Sequence, residues 1–132
     1  MQKISVILLS WLFLLATGCT SEPDFKQISQ DQLLNPANHV KIILDVRTPE
    51  EYAEGHVPGA INISHDVIDK KINELIKLNG GKNATIAVYC RSGHRAGIAL
   101  KELQKQGFQD LYHLEGDMNG WYKAKKPVES NK

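Results

Sequence analysis

Cysteine is scarce in this chain: Cys19 and Cys90 are its 2 cysteines among 132 residues. Cys19 closes an apolar leader, so Cys90 is the single thiol expected in the folded part, and no internal disulfide is available to it. An excess of one charge is lacking too. The 16 basic and 15 acidic side chains leave a net charge of +1, and no nucleic-acid partner is expected, because that would ask for a clustered basic face. No run reaches the ~20 apolar residues that a membrane-spanning helix needs. Low-complexity stretches and internal repeats are absent, and 42% of the residues are hydrophobic. That is the composition of one folded domain rather than of a disordered segment. The pairs of His and Cys that build a metal site are also missing, so neither a metal nor another cofactor is expected.

What is present begins with the leader. Lys3 precedes an apolar run from Ile4 to Leu15, followed by Ala16-Thr17-Gly18-Cys19. A positive charge, a short apolar core and small residues at its end are the parts of an export signal. Ala16-Thr17-Gly18-Cys19 resembles a bacterial lipobox, with Ala16 where a Leu is more usual. The resemblance implies cleavage after residue 18 and lipidation of Cys19, with several acyl chains as a membrane anchor. Thr20 is not the Asp that retains lipoproteins at the inner membrane of Gram-negative bacteria. The expected location is therefore the periplasmic side of a bacterial membrane, the outer one included. Residues 19–24 form a polar tether that spans only ~17 Å past the Cys when extended, residues 25–128 the domain, and residues 129–132 a tail.

Helix and strand signals alternate through the domain. Ser29 and Gln32 have capping-box spacing and open a short helix through Leu34. Ile42-Ile43-Leu44 reads as a buried strand ending at Asp45. Thr48-Pro49-Glu50-Glu51 supplies an N-cap, a proline at the first helical position and first-turn acids, and Ala60 to Ile63 reads as another strand. Apolar residues at helical spacing predict a helix from Asp66 to about Leu78. Thr85 to Tyr89 is the clearest strand, Ala96 to Gln106 a helix, Leu111 to Leu114 a strand, and Asp117 to Ala124 a last short helix. Short apolar strands alternating with helices imply an α/β fold, a parallel sheet covered on both faces.

The loop Cys90-Arg91-Ser92-Gly93-His94-Arg95 lies between the best strand and a long helix, where open α/β sheets place their ligands. A cysteine there is drawn toward its thiolate by three features. The helix directs unsatisfied N–H groups and the positive end of its dipole at the loop. Arg91 and Arg95 add positive charge. Gly93 lets the loop curl, so that successive amides converge as an anion nest. Thiolates in such surroundings are nucleophilic. The alternative is a cysteine that merely fills core at a strand end. His94 reads equally as a proton donor or as a solvated loop residue.

Cys90 to Arg95 resembles the active-site loop of rhodanese-like sulfurtransferases. Asp45-Val46-Arg47, Glu50-Glu51-Tyr52 and Gly55-His56-Val57-Pro58-Gly59-Ala60-Ile61-Asn62-Ile63 are similar to the family's amino-terminal signature. Leu114-Glu115-Gly116-Asp117-Met118, with Trp121 and Pro127, is similar to its carboxy-terminal one. Asp117 stands where that ending usually has a second glycine, a departure read as touching a turn and not the chemistry. The resemblance implies a rhodanese-like fold with Cys90 as sulfur carrier. The amides of Arg91, Ser92, Gly93, His94 and Arg95 would cradle the persulfide, and the side chains of Arg91 and Arg95 would attract an anionic donor. Asp45 and Arg47 would hold the site together, with a plain surface charge as the other reading of Arg47. His56 and Trp121 are assigned to packing or hydrogen bonding.

The expected reaction moves sulfane sulfur from thiosulfate, a persulfide or a polysulfide to cyanide or a thiol, a protein thiol included, through a Cys90 persulfide. A cysteine phosphatase or arsenate reductase is a less favoured alternative: phosphatases of similar loop design place five residues between Cys and Arg. Here there are only Arg91, Ser92, Gly93 and His94, a tighter cup that suits one sulfur better than a phosphoryl group. A docking module on the same fold is the remaining alternative.

Overall fold

The computed structural model describes residues 25–131; the leader, Cys19 and the tether lie outside the described residues. Thr85–Tyr89 (β4) supplies the centre of the sheet, because β-branched and aromatic residues fit a strand flanked on both sides. Val40–Asp45 (β2) pairs with it on one side and Leu111–Leu114 (β5) on the other. Ile61–Asn62 (β3) and Lys26–Ile28 (β1) form the two edges. All pairings are parallel and the order is β1-β5-β4-β2-β3. Every strand therefore ends at the same edge of the sheet.

Two apolar clusters cover the two faces, as period-2 alternation along β4 requires. Ile86, Val88 and Cys90 turn toward Ile72–Asn79 (α3) and His94–Lys105 (α4), packing with Leu75, Ala99, Leu100 and Leu103. Ala87 and Tyr89 turn to the other face, where Leu33 of Gln30–Leu34 (α1) packs with Met118 and Trp121 of Asp117–Lys123 (α5). Trp121 is fully buried and donates its indole N–H to the Pro127 carbonyl at 2.7 Å.

The anticipated caps are in place. Ser29 accepts from the Gln32 amide while the Gln32 side chain accepts from the Ser29 amide. Thr48 and Glu51 repeat this reciprocal pair at the start of Pro49–Glu54 (α2). Two expectations need correction. The helix expected from Asp66 is a 3₁₀ turn, Ile68–Lys70, then α3, broken at Lys71 (φ −111°, ψ 8°). The tighter turn carries Ile68 fully into the core ahead of the helix. The other is β1, which carried no strand signal. Only Ile28 of its three residues is buried, too short a pattern to show a period.

Candidate active site

The carboxyl edge of the sheet is held by a buried polar network. Asp45 and Arg47 pair side chain to side chain, with Arg47 Nη2 at 2.6 Å and Nε at 3.0 Å from carboxylate oxygens. Their side chains are 0% and 4% exposed. The Tyr89 hydroxyl donates to the same carboxylate at 2.7 Å and accepts from the Val57 amide at 3.1 Å. Arg47 also donates to the Gly55 carbonyl at 2.7 Å. Burial works against the Arg47 charge, but the Asp45 carboxylate more than offsets it and raises the guanidinium pKa. Burial and the Asp45 charge raise Tyr89 as well, so its phenol stays neutral. Losing one partner of such a pair strands a buried charge. Arg47 is thus a buried, paired charge and not a surface one.

Cys90 follows directly on β4. Its carbonyl accepts from the Met118 amide at 2.9 Å, and the Arg91 carbonyl accepts from the Asn119 amide at 3.0 Å. These donors belong to the first turn of α5, whose N–H groups have no acceptor within their own helix. A trans peptide sets its N–H opposite its C=O, and no peptide here is cis. The amides of Arg91 and Ser92 therefore turn away from α5. Gly93, the N-cap of α4, has φ +113° and no side chain that caps the helix. Its amide donates to Cys90 Sγ at 3.0 Å. The sulfur thus takes the N-cap amide of a helix whose first turn no side chain caps.

The two arginines have separate surroundings. Arg95 donates to both oxygens of Glu51 at 2.6 and 3.1 Å. That bond, then the charges of Glu51 and Cys90, raise its pKa, with burial opposing. Arg95 also holds Glu51 at about 2, against burial and with help from Thr48. The fork of Arg95, which the resemblance gave to an anionic donor, rests on the Glu51 carboxylate. Arg91 is exposed, and with Glu51 and Asn119 it borders a cavity of about 210 Å³ beside the loop. Ser92 and His94 are exposed as well. Cys90 itself is 1% exposed, so its sulfur lies under the loop and not on the surface.

A further correction concerns Asp117. Read from the sequence as a turn residue remote from the chemistry, it is 3% exposed and accepts from the Cys90 amide at 3.0 Å. His113 Nε2 lies 2.9 and 3.0 Å from its two carboxylate oxygens. The signal available was the carboxylate in a position where a bare turn needs only glycine. His56 and Trp121 are both buried and hydrogen-bonded, His56 stacking on Tyr52 at 3.8 Å between ring centroids, as their assignment to packing expected.

The geometry is matched by likeness. The family model of the Rhodanese-like domain matches residues 29–124, and the chain belongs to that family. A thiosulfate sulfurtransferase, GlpE of Pseudomonas entomophila, is 32% identical over 99 residues, 74% of this chain and 85% of its own. A sulfurtransferase of Allochromatium vinosum is 30% identical over 87 residues, 66% of this chain and 77% of its own. YrkF of Bacillus subtilis is 36% identical over 98 residues, 74% of this chain but only 46% of its own length. Among solved structures, a rhodanese-related protein of Thermoplasma volcanium superposes with a TM-score of 0.67 at 26% identity, covering 80% of this chain and 98% of its own.

Proposed function

We propose that the protein is a sulfurtransferase that carries sulfane sulfur as a persulfide on Cys90. The observation that carries this reading is the bond from the Gly93 amide to Cys90 Sγ at the uncapped start of α4. A backbone amide so placed would hold the terminal sulfur of a persulfide, as an oxyanion hole holds oxygen. The relatives named as sulfurtransferases support it. In the first step the Cys90 thiolate attacks the outer sulfur of thiosulfate. The sulfur–sulfur bond of the donor breaks and sulfite leaves with its electron pair. In the second, cyanide or a thiolate attacks the terminal sulfur, leaving as thiocyanate or as a new persulfide, and the Cys90 thiolate returns. A persulfide or polysulfide donor follows the same path with a thiolate or shortened polysulfide as leaving group. Exposed Arg91 is the cation left to receive an anionic donor.

One observation favours the second reading, a docking module: the burial of Cys90. Incubation with thiosulfate followed by intact mass measurement separates the two. A one-sulfur adduct, removed by cyanide and absent from Cys90→Ser, is the expected result. Absence of the adduct, together with failure of iodoacetamide to alkylate Cys90 in the folded protein, overturns the enzymatic reading.

The same proposal places the domain at a bacterial membrane through lipid on Cys19, supported by the lipobox-like Ala16-Thr17-Gly18-Cys19. Metabolic labelling with an alkynyl fatty acid, lost in Cys19→Ala together with membrane sedimentation, is the expected result. An unlabelled, freely soluble protein overturns it.

A further inference from the structure

The described residues include one buried carboxylate at the loop that the sulfur-transfer steps do not use. Strand pairing between β4 and β5 ends at Val88 with His113. The Tyr89 carbonyl accepts from Val46 on the β2 side, so the next amide, that of Cys90, faces the β5 side just past the last ladder partner. A buried N–H without an acceptor is costly, and it sits on the residue whose sulfur must be held in place.

The acceptor comes from a side chain. Asp117 Oδ1 takes the Cys90 amide at 3.0 Å, and His113 Nε2 bridges both carboxylate oxygens from the other side. The Gln27 side-chain nitrogen lies 3.5 Å from His113 Nδ1. Gly93 closes the arrangement, because a Cβ there would stand 3.2 Å from Asp117 Oδ2 and 3.5 Å from the His113 ring. The carboxylate therefore holds the amide of Cys90 and fills the space that a side chain at Gly93 would enter. Asp117 reaches this place with φ +52°, a backbone region that Asp tolerates better than most residues and Gly tolerates freely.

We infer that Asp117, oriented by His113, is a positioning residue that fixes the Cys90 backbone at the start of the loop and so sets the reactivity of the sulfur. The inference rests on the reading of Cys90 as the sulfur carrier. Glycine at position 117 removes the carboxylate without backbone strain, and the fold is kept. Asparagine keeps an oxygen for the Cys90 amide, while its NH₂ meets His113 Nε2 once the imidazole proton moves to Nδ1.

The test measures sulfur loading from thiosulfate by rapid quench and intact mass, with hydrogen exchange of the Cys90 amide read alongside. In Asp117→Gly the maximal loading rate should fall about tenfold, the scale of one lost charge-assisted hydrogen bond, with the half-saturating thiosulfate concentration unchanged and the amide's protection lost. Asp117→Asn should recover most of the rate and the protection. Wild-type loading in Asp117→Gly, a loss confined to half-saturation, or no rescue by Asp117→Asn overturns the inference. If the wild-type protein takes up no sulfur at all, the sulfurtransferase reading has failed, and exchange alone decides the brace: undiminished protection of the Cys90 amide in Asp117→Gly overturns it.

Discussion

Two junctions of the same kind lie side by side in the sheet. In each, a central strand ends and a loop leads into a helix: β2 through Val46 and Arg47 to α2, and β4 through Cys90, Arg91 and Ser92 to α4. At the first, Thr48 and Glu51 occupy the helix's free donors, and Arg47 is neutralised by Asp45 in the interior. At the second, the N-cap is Gly93, no side-chain oxygen caps the helix, and the acceptor of the Gly93 amide is a sulfur. The first junction spends its hydrogen-bonding capacity on stability. The second turns one amide, that of Gly93, to the sulfur, and its support comes from elsewhere: Met118, Asn119 and Asp117 from behind, and Glu51 on Arg95 from the side.

The comparison breaks most visibly at Arg47. Arg47→Ala leaves Asp45 buried and unpaired, and should cost about 3–5 kcal/mol in urea unfolding, whereas Arg91→Ala at the other junction should leave stability nearly unchanged and raise the thiosulfate concentration needed for loading. Comparable losses of stability in the two variants would remove the distinction. Next comes Gly93→Ala. A non-glycine residue at φ +113° with its Cβ against Asp117 should lose about 1–3 kcal/mol, and sulfur loading should fall further than stability accounts for. Full loading in a destabilised Gly93→Ala would show that the curl of the loop is only structural.

Thr48→Ala sharpens the same contrast from the capped side. It should cost about 1 kcal/mol, the usual worth of an N-cap, and leave loading from thiosulfate at the wild-type rate. The smallest effect is a dependence on pH. Glu51 is held at about 2 in the folded protein, below its ordinary value of 4.5, so the unfolded chain binds its proton first as pH falls. Its contribution is therefore present in full above pH 4.5 and lost between there and about pH 2. In a partly solvated pair this is worth only about 1 kcal/mol. Unfolding midpoints of the wild type and Glu51→Gln, compared at pH 6 and pH 3, should differ more at pH 6. A constant difference would place the contribution of Glu51 in its packing.

The local elements were largely legible because their causes are local. Thr48-Pro49-Glu50-Glu51 announces a capped helix, Thr85 to Tyr89 a strand, and Cys90 to Gly93 a loop between that strand and the next helix, all from neighbours within a few positions. Three features were not legible. The edge strand β1 forms because Ile28 finds β5, 86 positions on in register. Arg95 turns to Glu51, 44 positions away, and so leaves Arg91 as the exposed cation. Asp117 reaches back 27 positions to the Cys90 amide. A lone carboxylate in a turn carries no mark of the partner it will meet.

The sequence alone thus determined that strands and helices alternate, that the uncapped helix start follows the central strand, and that its sulfur is the single thiol of the domain, since propensity, capping and period are properties of short segments. Only the tertiary structure decided which charge is neutralised and what holds the loop from behind. Those depend on ordering groups far apart in the chain at hydrogen-bond distance, and the entropy of closing such long loops is offset only by the packing of the whole sheet.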